Sequence, residues 1–140
     1  MSIQMVLLPL FVQIGLTFAL LLGMALSRGR ALSSRETSPE DVRRGQANWP
    51  TRAAQIGDCF SNQFEVPVLF YVLIALALPL RHADLVIVLL SWLFVVTRFM
   101  HAGIFVTSNN VTQRGRVWFA GVLVLLAMWI YFALKILLLI

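Results

Sequence analysis

Four long stretches almost free of charge constrain this chain more than any other feature. Residues Ile3 to Ser27 carry no ionisable side chain and are interrupted only by Gln4, Gln13 and a few small polar residues. Cys59 to Leu80 holds one charge, Glu65; Leu85 to Val106 holds Arg98 and His101; Val117 to Ile140 holds Lys135. A helix needs about 20 apolar residues to cross about 30 Å of hydrocarbon, and each stretch reaches that length. A closed β-barrel is the other way to satisfy backbone polar groups in lipid, but it needs short alternating segments that this sequence does not have. Composition agrees, with 60% of residues apolar and 12% charged, against about a quarter charged in a soluble domain. The expected fold is therefore all-α, an integral membrane four-helix bundle. It should form a single transmembrane domain over residues 1–140, with helices at about 3–28, 50–80, 84–108 and 116–140 and a polar loop at 29–49. The first stretch lacks a basic flank and its apolar run is too long for a leader, so it reads as helix 1.

The net charge of +5 is not a nucleic-acid signal here, because the basic residues sit beside apolar runs and set orientation instead. Between helices 1 and 2 lie Arg28, Arg30, Arg35, Arg43, Arg44 and Arg52 against Glu36, Glu40 and Asp41; between helices 3 and 4 lie Arg114 and Arg116 with no acid. The opposite side has only Arg81, in a short turn, and Lys135, close enough to the chain end to snorkel into headgroups. Both arginine-rich connections are expected in the cytoplasm and both termini outside; in a prokaryote the membrane would be the inner one. Within the first loop, Ser38-Pro39-Glu40-Asp41 reads as a capped helical turn that Gly45 can close. The lone Cys59 cannot form an internal disulfide and reads as a small buried hydrophobe. Trp49 and Trp118 read as members of an aromatic belt.

A charge at the bilayer centre costs roughly 3 kcal/mol, so each intramembrane charge needs a reason. Gln55, Asp58, Asn62 and Glu65 follow one another at spacings of three, four and three, which puts them on one helical stripe. Arg98 and His101 share a face of helix 3. Counted from the His82–Ala83 turn, Asn62, Glu65, Arg98 and His101 all lie about 16 to 20 residues away and so at similar depth. Glu65 is expected to meet Arg98 or His101, with the others lining a polar cavity open towards the arginine-rich connections. Pro67 cannot donate to the carbonyl of Gln63, so helix 2 should kink there and leave that acceptor free. A Glu65–Arg98 pair that only fixes helix register is the plainer alternative, although intramembrane ionisable groups more often mark a site.

The segment Asn62-Gln63-Phe64-Glu65-Val66-Pro67-Val68-Leu69-Phe70 resembles the helix 2 signature of the MAPEG family, the membrane-associated proteins of eicosanoid and glutathione metabolism. Arg98-Phe99-Met100-His101 is similar to the Arg-x-x-His of the prostaglandin E synthase and glutathione transferase branch, and Arg114 falls at the spacing of that branch's helix 4 arginine. Ser38-Pro39-Glu40-Asp41 resembles the branch's first loop and places Arg30 where a loop arginine is expected. The resemblance implies a homotrimer with glutathione as cosubstrate, bound between subunits near the cytoplasmic face. It implies that Asn62, Glu65, Arg98 and His101 hold the tripeptide with help from Arg30, that Arg114 is catalytic and stabilises the thiolate, and that no metal is used. The further partners are the bilayer and a hydrophobic small molecule.

The sequence also departs from the family pattern. Ser61 and Asp58 stand where arginines are frequent, Phe105 and Trp118 where tyrosines are frequent, and Gly115 where a serine follows the helix 4 arginine. The leading expectation is a glutathione transferase or peroxidase acting on hydrophobic electrophiles or lipid hydroperoxides. A non-catalytic protein of the same fold, binding lipids or a partner, is the alternative. A proton-coupled exporter using Glu65 fits less well, because a carboxylate with cations at its own depth is poorly placed to exchange protons.

Overall fold

The computed structural model describes residues 2–139. Six helices follow in order: α1 (Ile3–Ser33), α2 (Pro39–Arg43), α3 (Thr51–Asn62), α4 (Pro67–Ala77), α5 (Leu85–Val106) and α6 (Val111–Leu138). With α3 and α4 counted as one broken helix, four spans are long and apolar enough to cross a membrane.

Local chemistry explains most helix ends. The Ser2, Asp84 and Asn110 side chains accept from the backbone N–H of Met5, Ile87 and Gln113, three residues on. Ser38 caps α2 with Pro39 in its first turn, Glu40 and Asp41 face its positive end, and Gly45 follows at φ +71°. Two boundaries differ from the hydropathy reading. α1 continues past residue 28 to Ser33 because nothing after Arg28 breaks a helix until Arg35 turns left-handed at φ 61°. α6 begins at Val111 rather than near residue 116, because Asn110 caps it, and so Arg114 and Arg116 lie on the helix itself. An apolar run measures the lipid-embedded part of a helix, not its hydrogen-bonded length. The expected end at residue 140 lies outside the described residues.

The second span breaks as Pro67 requires, with three-residue turn bonds (Phe64 N–H to Ser61, Glu65 N–H to Asn62, Val68 N–H to Glu65) carrying the chain between its halves. The Gln63 carbonyl is not left free, however: the Tyr71 hydroxyl donates to it at 3.2 Å.

α5 is the central helix, packing on α6, α1 and α3, while α1 also packs along α3 and α4, and α6 on α4. Its inward face buries Ile87, Val88, Ser91, Phe94, Val95, Arg98, His101 and Ala102. The main core joins it to Phe70, Leu73 and Ile74 of α4 and Leu125, Met128 and Phe132 of α6, with the Phe70 and Phe94 rings 5.0 Å apart. Large apolar residues such as Phe11, Phe18, Leu22, Leu93, Leu126 and Ile130 point outward. Between helices already in lipid there is little hydrophobic drive, so close approach and hydrogen bonds must hold them together. Gly121 is one such approach: a Cβ there would lie 2.8 Å from Thr97 Oγ1 across the α5–α6 contact.

Lys135 does not snorkel away. Its ammonium lies 2.6 Å from the Asp84 carboxylate, which also accepts from Tyr131, so α6 is fastened to the turn between α4 and α5. Burial pushes the Asp84 carboxyl up, but hydrogen bonds from Lys135, Tyr131 and the Ile87 backbone outweigh it and hold it below its ordinary value.

Candidate functional site

Asn62 closes α3 just before the break, which brings its side chain against α5. The buried Arg98 donates to its Oδ1, and its own amide donates to Glu65 at 3.3 Å. Glu65 and Arg98 are therefore linked through Asn62 and not by the direct contact that depth alone suggested. Among the described residues the ion pairs are Glu40 with Arg43 and Arg44, and Asp84 with Lys135. The reason is geometric. Glu65 lies within the break, and its side chain is exposed on the surface of the chain. Asn62 can act as relay because one amide offers both an acceptor and a donor.

One turn along α5 from Arg98, His101 is 2% exposed and meets Phe105 edge-on, with centroids 5.6 Å apart. The other face of the site comes from α6. The Arg114 guanidinium lies 4.3 Å over the Phe105 ring and donates to the Asn109 side chain. Asn109 sits in the left-handed region at φ 51°, which asparagine tolerates. Asn62, His101, Phe105, Val111, Arg114, Gly115 and Trp118 line an open hollow of about 250 Å³. Two buried nitrogens beside it, Arg98 Nε and His101 Nδ1, have no partner within the chain. Polar atoms so placed are costly unless something completes their bonding. The hollow therefore suits an anionic, hydrogen-bonding ligand: Arg114 supplies charge at its wall, Arg98 adds charge from behind Asn62, and Asn62 and His101 give direction.

The sequence profile of the MAPEG family matches residues 6–134. The chain belongs to the MAPEG family. No curated protein and no solved structure matches it. The matched region takes in the second and third spans whole, most of the first and fourth, and all of Asn62, Glu65, Arg98, His101 and Arg114, so the helix 2 signature sits in the setting a MAPEG bundle provides.

Of the residues singled out by sequence, Arg30 is not brought to this hollow. It is exposed on α1, where it lines a separate depression with Ala25, Leu26, Gly29, Ser33 and Ser34. Asp58 and Glu65, from the polar stripe of the second span, are exposed, while Gln55 and Asn62 are half-buried. Trp49 packs against Arg28, whose guanidinium lies 4.9 Å from the ring. Sequence reasoning missed Asn109 and the use of Phe105 as a shelf for Arg114. It also missed a buried amide pair, Gln13 with Gln63, although Gln13 stood out as a polar residue in an apolar run.

Proposed function

We propose that this MAPEG protein is a glutathione-dependent transferase or peroxidase acting on hydrophobic electrophiles or lipid hydroperoxides. The observation that carries the reading is the convergence of Asn62, His101 and Arg114 on one hollow, with Arg98 bonded to Asn62 behind it and two buried nitrogens, Arg98 Nε and His101 Nδ1, left unsatisfied. Glutathione supplies a thiol that, once ionised, attacks an electrophilic carbon and displaces its leaving group. On a hydroperoxide it attacks an oxygen and breaks the O–O bond, releasing the alcohol and a glutathione sulfenic acid that a second glutathione converts to the disulfide and water. Arg98, His101 and Asn62 fit its carboxylates and peptide groups. The Arg114 guanidinium favours the thiolate by its positive charge. Glu65 orients Asn62 and offers an acceptor to an ammonium group.

Assembly completes the site in this reading. Glu65 is exposed at membrane depth and Arg30 faces away from its own hollow. A homotrimer in which Arg30 of one copy serves the hollow of the next accounts for both. The arginine-rich connections then face the cytoplasm, where glutathione is plentiful, and the termini lie outside.

Isothermal titration of the folded protein in detergent with glutathione tests the proposal; binding at millimolar concentration or tighter is expected. A second reading, a non-catalytic lipid-binding protein, is favoured by the exposed Asp58, which opposes glutathione's carboxylates. It is also favoured by an apolar groove of about 410 Å³ along α4 and α6, lined by Val66, Leu69, Val122, Leu125, Leu126 and Trp129. Absence of glutathione binding by folded, oligomeric protein would sink the enzyme reading and leave this one.

A further inference from the structure

Gln13 and Gln63 are both fully buried within the membrane-spanning bundle. The Gln13 amide donates to Gln63 Oε1 at 2.8 Å and more weakly to the Tyr71 hydroxyl at 3.4 Å. Gln63 in turn donates to the Cys59 carbonyl at 2.9 Å, and Tyr71 donates to the Gln63 carbonyl that Pro67 leaves unpaired. Three of these four bonds end on Gln63, the one residue between Asn62 and the Phe64–Glu65 turn, and the fourth joins Gln13 to Tyr71. Without them, the break would rest on the weak three-residue turn bonds alone. In lipid an unpaired amide or carbonyl has no water to turn to, so these bonds are costly to break, although the buried Gln13 Oε1 has no partner within the chain.

We infer that Gln13 is a positioning residue: acting from α1 through Gln63 and Tyr71, it fixes the break in the second span and so sets where Asn62 and Glu65 lie. Its consequence for ligand affinity rests on the glutathione reading; its consequence for the backbone does not. A merely structural pair behaves differently from a positioning one. Replacing both partners of a buried hydrogen bond by apolar residues is nearly neutral for stability, but it cannot restore the geometry that the bond imposed.

The test uses the full-length protein in detergent and four variants, Gln13→Leu, Gln63→Leu, the double Gln13→Leu/Gln63→Leu, and Tyr71→Phe. Hydrogen exchange by mass spectrometry is read over residues 62–69 against α5 as an internal standard, beside thermal melting and glutathione titration. The expected result is exchange at least about tenfold faster over 62–69, with α5 unchanged, in Gln13→Leu and in the double variant, although the double melts near the unaltered protein. Glutathione affinity should fall about tenfold to a hundredfold in both, the scale of a small misplacement of binding groups. Exchange unchanged over 62–69 in Gln13→Leu overturns the inference, as does a double variant that regains protection and affinity together with stability. Should Gln13→Leu not fold, Tyr71→Phe keeps the ring and removes only the hydroxyl, and unchanged exchange there is equally fatal. If the unaltered protein binds no glutathione while Gln13→Leu still loosens residues 62–69, the proposed function fails and the positioning role stands.

Discussion

Arg98 and Arg114 are both cations near Asn62 and His101, yet they are held differently. Arg98 is buried and spends a donor on Asn62, whereas Arg114 is half-buried, rests on Phe105 and is steered by Asn109. Removing Asn62 leaves Arg98 with another unmet donor, so Asn62→Ala should destabilise the protein by about 1–3 kcal/mol. The Asn62→Ala/Arg98→Leu double variant should cost clearly less than the two single changes summed. Chemical denaturation in detergent measures this cycle, and strict additivity would show that the two side chains do not communicate. For Arg114 the signature is chemical. Mixing protein with glutathione should give a thiolate absorbance that falls in Arg114→Leu while affinity changes little, because the lost interaction belongs to the ionised form. Equal loss of both would make Arg114 a binding residue.

Among the helices, what could be read in advance divides by physical origin. The spans were legible because lipid imposes a minimum apolar length, and the break was legible because proline lacks an N–H. The depth match of Asn62, Glu65, Arg98 and His101 was legible from the fixed helical rise. The partner choices were not. Whether Arg98 meets Glu65 or Asn62 depends on how the break rotates Glu65 outward, and whether Lys135 meets headgroups or Asp84 depends on the tilt of α6; neither has a signature in residue spacing. Glycines make the same point. A Cβ at Gly57 would meet Arg28 Nη2 at 2.9 Å, the end of a long side chain that can move, whereas at Gly121 it would meet the short Thr97 side chain at 2.8 Å, which is tied to the Phe94 carbonyl. Gly121→Ala should therefore cost about 1–3 kcal/mol and Gly57→Ala clearly less, as thermal melting would show; equal costs would mean that α5 and α6 are not held at this separation. The Asp84 carboxyl lies below its ordinary value, so the stability it contributes is full above the ordinary carboxylate pKa of about 4 and is lost as pH falls through the lower folded value. Melting temperatures taken from neutral pH down to about pH 3 should drop less steeply in Asp84→Asn than in the unaltered protein.

For the whole molecule, the distribution of arginine fixes the expected placement across the bilayer. Cysteines introduced at Ser34 and Ser108 in a Cys59→Ser background should react only with reagents on the cytoplasmic side, and one at Ser2 only from outside. Labelling of Ser34→Cys from outside in intact cells would invert the arrangement. The fastening of Lys135 and Tyr131 to Asp84 bears on how the chain is made. The turn that holds Asp84 leaves the ribosome well before α6, and until α6 enters the membrane that carboxylate has neither of its side-chain donors. The α4–α5 hairpin is thus inserted first and latched last. A nascent chain arrested before Tyr131 should remain open to protease near the turn, and synthesis of the final helix should confer resistance in a single late step.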